Sequence, residues 1–357
     1  MPRVDVNGIN IYYQQHGSGP DIILIHGMGG NLSFWHANTA LVSLKKEFRV
    51  TVYDLRGHGY SDFVKSGYTS FDMASDLYGL MKKIGLKKAY LIGHSFGGLI
   101  ALHTAAIYPE VVSGLVLTEG NIPALHHLID LNKWPYRKVR EQKLREIDPK
   151  LPEYLDGYNM YLLEYRLRHA TTDKKFPIDN FGMRKGLKRI AKRVLKLLDE
   201  TTAKKDIRAV AGLTEDKICK ITQPTLALYG QYSPLMVVCN YLVNNLPNCK
   251  MVEVSEAGHL FLARIPEYFV KNVRNFIISV ERGEEFENKY CGIVRECATN
   301  LEMDLAGLGC CKRIPNWILN DTWSECTSWN LQVRNFYDTN NCNISSDFTK
   351  NIGNTTY

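Results

Sequence analysis

From residue 4 to residue 14, apolar and polar side chains alternate across Asn7-Gly8, the pattern of two antiparallel strands joined by a tight turn. Short apolar runs follow near 21–25, 49–53, 88–92 and 111–118, and between them the apolar positions recur with helical spacing near 33–46, 70–84 and 95–108. A long interruption comes next. The alternation then resumes with a strand at 224–229, a helix near 235–246, a strand at 250–254 and a last helix near 266–281. Strands alternating with helices predict an α/β fold with a mostly parallel, doubly wound sheet covered on both faces. The pattern divides the chain into a core of residues 1–120 and 213–281, a helical insertion over 121–212, and an appendage over 282–357.

The candidate chemistry sits at the ends of the predicted strands. Gly93-His94-Ser95-Phe96-Gly97-Gly98 lies between the apolar run Ala89–Ile92 and the helical pattern that begins at Leu99. A G-x-S-x-G between a strand and a helix is a nucleophile elbow, a turn so tight that glycine must flank the serine. Upstream, the strand at 21–25 runs into His26-Gly27-Met28-Gly29-Gly30, where acyl-transfer enzymes of this architecture carry one oxyanion donor. The other donor is the backbone of the residue after the nucleophile. The two are assigned to the N–H groups of Met28 and Phe96. Downstream, Glu256-Ala257-Gly258-His259 follows the strand at 250–254 and supplies a late histidine as general base.

These strings, together with Val52-Tyr53-Asp54-Leu55-Arg56-Gly57-His58-Gly59-Tyr60-Ser61-Asp62, make residues 1 to about 280 resemble the α/β-hydrolase superfamily, in its branch of lid-bearing serine hydrolases. The resemblance implies a Ser-acid-His triad, and the acid is where this chain departs from the usual pattern. Relatives carry it in a Gly-x-x-Asp-Pro-like string after the strand that follows the lid. Here that string reads Gly230-Gln231-Tyr232-Ser233-Pro234, with a serine in place of the carboxylate. Some relatives place the acid after the preceding strand instead, and in this chain the residue there is Glu119. The triad is therefore assigned as Ser95, His259 and Glu119, with Glu253 and Glu256 as weaker candidates for the acid. His26, His58 and His94 read as structural hydrogen-bonders, and Asp54 as a residue that pins a loop.

Charge and cysteine usage alter the picture only at its edges. The chain carries a formal charge of +7, and residues 174–208 hold twelve Lys and Arg against four Asp and Glu. Within that stretch, 184–198 has apolar residues at helical spacing with basic residues between. This is either a lid helix with a solvated basic face, or a helix that contacts an anionic membrane surface or an acidic substrate. Tyr154, Tyr158, Tyr161 and Tyr165 recur at helical spacing and read as packing. No motif beyond charge points to nucleic acid. The chain enters a strand pattern at Val4 without a secretory leader and contains no apolar run of spanning length, which predicts a cytoplasmic protein with reduced thiols.

Residues 282–357 hold six of the nine cysteines, namely Cys291, Cys297, Cys310, Cys311, Cys326 and Cys342. Three readings of them stand open: a metal or redox site, disulfides, or ordinary small residues in a partly helical appendage.

The resulting expectation is a cofactor-free, metal-free serine hydrolase of esterase or thioesterase type, acting through an acyl-enzyme on a small-molecule acyl substrate with an apolar acyl part. Two alternatives share its scaffold: a ligand-binding receptor or sensor with weak turnover, and a carbon–carbon bond hydrolase using the same triad.

Overall fold

The protein is seen here in a computed structural model that describes residues 2–147, 164, 168 and 184–286. The four insertion tyrosines and the six cysteines of the appendage lie outside the described residues. The opening hairpin joins β1 (Arg3–Val6) to β2 (Ile9–His16), and Asn7 and Gly8 both take the positive φ that a two-residue turn of this hand requires. Then follow β3 (Asp21–Ile25), α1 (Ser33–Ala37), α2 (Ala40–Leu44), β4 (Arg49–Tyr53), α3 (Ser70–Lys83), β5 (Ala89–His94), α4 (Phe96–Ile107) and β6 (Val112–Thr118). After the insertion, with α5 (Arg137–Ile147) and α6 (Arg184–Glu200), come β7 (Thr225–Gly230), α7 (Met236–Asn245), β8 (Cys249–Val254) and α8 (Pro266–Arg282).

The eight strands form one sheet in the order β1-β2-β4-β3-β5-β6-β7-β8. β2 pairs antiparallel with both β1 and β4, and the other described pairings are parallel. Alternate residues of each central strand serve opposite faces. Ile23, Ile25, Leu115 and Leu117 pack with Leu77 and Leu80 of α3 and Leu99 and Leu102 of α4. Ile22, Leu24 and Val116 pack with Trp35 of α1, Leu41 of α2 and Phe269 and Phe276 of α8. With both faces covered, these strands carry continuous apolar runs rather than an alternating pattern.

One predicted helix is two in the structure. The periodicity over 33–46 is interrupted at Asn38-Thr39, where the Asn38 side chain accepts the Ala40 N–H at 3.1 Å and Thr39 adopts a φ of 61°. An asparagine that offers its own acceptor to the backbone competes with the helix at that point. Gly283 caps α8 with a φ of 66°, close to the predicted end of the last helix.

In α6 the apolar stripe faces inward over the turns whose side chains are described. Ala191, Val194, Leu197 and Leu198 are buried, while Lys192, Arg193 and Lys196 are exposed. The described part of the stripe is spent on packing, and the described basic residues face water. Among the described residues, no helix is long and apolar enough to cross a membrane.

Candidate active site

Parallel strands and short connections deliver Ser95, Glu119 and His259 to the carboxyl edge of the sheet, where open α/β sheets bind their ligands. The elbow comes first. β5 ends at His94, α4 begins at Phe96, and Ser95 between them has φ 55° and ψ −118°, a conformation that non-glycine residues rarely hold. Its backbone is fixed from the neighbouring strand end, because the Ser95 N–H donates to Thr118 O at 2.8 Å. A Cβ on Gly97 would overlap the Ile25 carbonyl, and one on Gly93 would overlap Gly97 itself, so neither position admits a side chain. The strained turn is thereby determined by its surroundings rather than by Ser95.

Glu119 and His259, the candidate acid and base, meet across three strand ends. Glu119 follows β6, is wholly buried, and has a φ of 54°. Its Oε1 accepts the Gly230 N–H at 2.6 Å, from the end of β7. Its Oε2 lies 2.6 Å from Ser233 Oγ and 3.1 Å from His259 Nδ1. All three partners are donors, so the carboxylate acts throughout as acceptor and His259 is held as the Nδ1–H tautomer, with Nε2 left as a lone-pair nitrogen. The His259 ring lies 5.0 Å from that of His94, the residue before the nucleophile, which sets it beside the elbow. The His259 side chain is one-third exposed whereas Glu119 is sealed beneath it.

Of the six described non-glycine residues with positive φ, three are Ser95, Glu119 and Glu256, in the connections that leave β5, β6 and β8. Backbone strain is therefore concentrated around this edge. Of the weaker acid candidates, Glu253 is exposed on β8, and Glu256 occupies the turn before His259, where its N–H donates to Gln231.

The loop bearing Met28 is pinned by the histidines. His26 donates from Nδ1 to Gly27 O at 2.9 Å, and its Nε2 accepts the Leu55 N–H at 3.1 Å. His58 donates from Nδ1 to Arg56 O at 2.8 Å, and its Nε2 accepts the Gly29 N–H at 3.1 Å. Burial lowers the proton affinity of both rings, to about 4 for His26 and about 3 for His58, where His26 adds to the effect. Burial also takes His94 well below the usual range, with His259 nearby adding to the shift. Asp54 accepts the N–H groups of Leu32 and Tyr60, both at 2.7 Å, and so ties together the connections after β3 and β4. The structural reading of these residues agrees with their bonds.

Met28 is half-buried and packs against the cluster that contains Phe96. Phe96 opens α4, so its N–H has no acceptor within the helix. The same loop passes close to the nucleophile, since a Cβ on Gly27 would lie 3.7 Å from Ser95 Oγ. Above it runs α6: a Cβ on Gly29 would lie 3.1 Å from Val194 Cγ2. Ile122, Leu125 and Leu197 of the insertion join Phe96 and Leu235 in one apolar cluster. Among the described residues, no three His, Cys, Asp or Glu side chains are grouped to hold a metal ion.

Sequence reasoning missed the part played by Ser233. It reads there as a lost carboxylate, whereas the folded chain turns its hydroxyl onto the Glu119 carboxylate. The available signal was its position in the string that usually carries the acid.

Comparison with known proteins identifies the family. The chain is 28% identical over 273 residues to pimeloyl-[acyl-carrier protein] methyl ester esterase of Vibrio parahaemolyticus, covering 75% of this chain and 98% of that protein. It is 26% identical over 280 residues to 2-(acetamidomethylene)succinate hydrolase of Mesorhizobium japonicum, covering 77% and 94%. Among solved structures, a thermophilic esterase from Thermogutta terrifontis superposes with a TM-score of 0.54 at 25% identity, covering 78% of this chain and 99% of that one. The sequence profile described as the alpha/beta hydrolase fold matches residues 20–263. With its parallel sheet and an elbow serine on the sheet's carboxyl edge, the chain belongs to the alpha/beta hydrolase fold family and is a hydrolase.

Proposed function

We propose that this hydrolase cleaves a small ester or thioester with an apolar acyl part through an acyl-enzyme on Ser95. The observation that carries the reading is the 3.1 Å contact from His259 Nδ1 to a buried Glu119, beside a strained serine elbow. In this mechanism Ser95 Oγ attacks the acyl carbonyl while His259 Nε2 takes its proton. The imidazolium that forms keeps its Nδ1–H on Glu119, whose negative charge stabilises it. The N–H groups of Met28 and Phe96 receive the oxyanion. His259 then protonates the leaving alcohol or thiol, activates a water molecule, and the same steps in reverse free the acid and Ser95.

The substrate class rests on two supports. The apolar cluster in which Ile122, Leu125 and Leu197 of the insertion join Phe96 suits an apolar acyl group. One of the relatives is named for a methyl ester. The insertion acts as the lid, with α6 over the Met28 loop.

Labelling with a fluorophosphonate, located by peptide mass spectrometry, tests the reading on the wild type and on Glu119→Gln. Rapid modification of Ser95 that collapses in the variant is the expected result. A folded wild type that takes no label overturns it in favour of a receptor or sensor on the same scaffold.

A further inference from the structure

We infer that Ser233 is a positioning residue for the acid, an oriented donor that holds Glu119 in place and draws off part of its negative charge. The inference rests on the triad proposed above. It goes beyond that triad by giving a task to the residue that stands where the usual carboxylate is absent.

Ser233 Oγ accepts the Leu235 N–H at 3.1 Å, and its own proton goes to Glu119 Oε2 at 2.6 Å. The accepted bond leaves the O–H aimed at the carboxylate, not free to rotate. Ser233 is 2% exposed and Glu119 is fully buried, so no bulk water competes for the contact. Oε2 is also the oxygen that takes His259 Nδ1–H. Ser233 and His259 therefore share one acceptor atom, while Gly230 N–H holds the other oxygen.

Two consequences follow. Glu119 is glutamate on a backbone with positive φ, and a long side chain leaving a strained residue needs its far end fixed. Gly230 and Ser233 fix it from β7 and the connection after it. In addition, a donor on Oε2 spreads charge that would otherwise act on His259 alone, so Ser233 tempers how strongly the acid holds the imidazolium. Removing the hydroxyl loosens the carboxylate and concentrates its charge on His259. The base then keeps its proton to higher pH and is also less well aimed.

The experiment is the rate of fluorophosphonate labelling of Ser95 against pH, for the wild type, Ser233→Ala and Ser233→Thr, with a thermal melt of each. Wild-type labelling at Ser95 is read first, because its absence defeats the triad itself and not this inference. Given labelling, Ser233→Ala is expected to react about three- to tenfold more slowly. The acid limb of its pH profile should move upward by about half a unit or more, and Ser233→Thr, which keeps the hydroxyl, should retain the wild-type limb. A purely structural serine would lower the melting temperature and leave the limb where it was, which overturns the inference, as does an unchanged rate. Should Ser233→Ala fail to fold, Ser233→Cys, similar in shape but a weak donor, takes its place and is read in the same way.

Discussion

The elbow and the acid cradle perform neighbouring tasks and are built by opposite means. Ser95 is the single residue between β5 and α4, and its strained backbone is flanked by close approaches that leave no room for a side chain at Gly93 or Gly97. Glu119 is held by groups 111, 114 and 140 residues away along the chain, two of them at or just beyond the end of β7 and the third beyond β8. A locally built site fails where its backbone is crowded. One assembled from afar depends on strand register and tolerates a change of residue type, provided that the donors still converge. In this chain a glutamate after β6 and a serine after β7 meet by such convergence.

The sharpest way to break the comparison is at the nucleophile. Ser95→Ala should lower hydrolysis of an activated ester about ten-thousandfold or more with an unchanged melting temperature, as measured by initial rates on purified protein. Residual turnover close to wild type would place the chemistry elsewhere. On the cradle side, Glu119→Gln should lower kcat about a thousandfold or more while the protein stays folded. If that variant is nearly neutral and Ser233→Ala is not, the acid has been assigned to the wrong member of the cradle.

Gly97→Ala probes the other side of the contrast. The added methyl meets the Ile25 carbonyl, backbone that cannot step aside, so a loss of about 2–4 kcal/mol is expected in urea unfolding. A loss under about 0.5 kcal/mol would mean that the elbow is less crowded than its geometry implies.

The smallest effect is a dependence of stability on pH from the loop histidines. His26 and His58 are neutral in the fold, with affinities depressed from 6.5 to about 4 and about 3, whereas both take up protons near 6.5 once unfolded. Below that pH the unfolded chain binds more protons. Their contribution is therefore complete above about 6.5 and is lost progressively as pH falls toward the depressed values. Urea midpoints should drop between pH 7.5 and 4.5, and the drop should be smaller in His58→Gln. Equal drops in the two proteins would show that His58 is not held neutral.

The amino-acid sequence by itself determined the elements and the elbow. Both rest on short-range constraints: apolar runs of strand length, helical periodicity, and glycines on either side of a serine. It also brought Glu119 into view, through its place at a strand end and the resemblance to relatives with the acid after β6. Folding decided what lies between segments. The parallel register that sets Thr118 beside Leu228 brings the end of β7 against Glu119 and turns the serine at 233 into its donor. The crowding that keeps His26 and His58 neutral, and the inward turn of the described part of the α6 stripe, likewise belong to the assembled chain. The reason is one of range. Backbone sterics and side-chain spacing act over a few residues and can be read in order, whereas a hydrogen bond across 114 residues exists only once the sheet between them has formed.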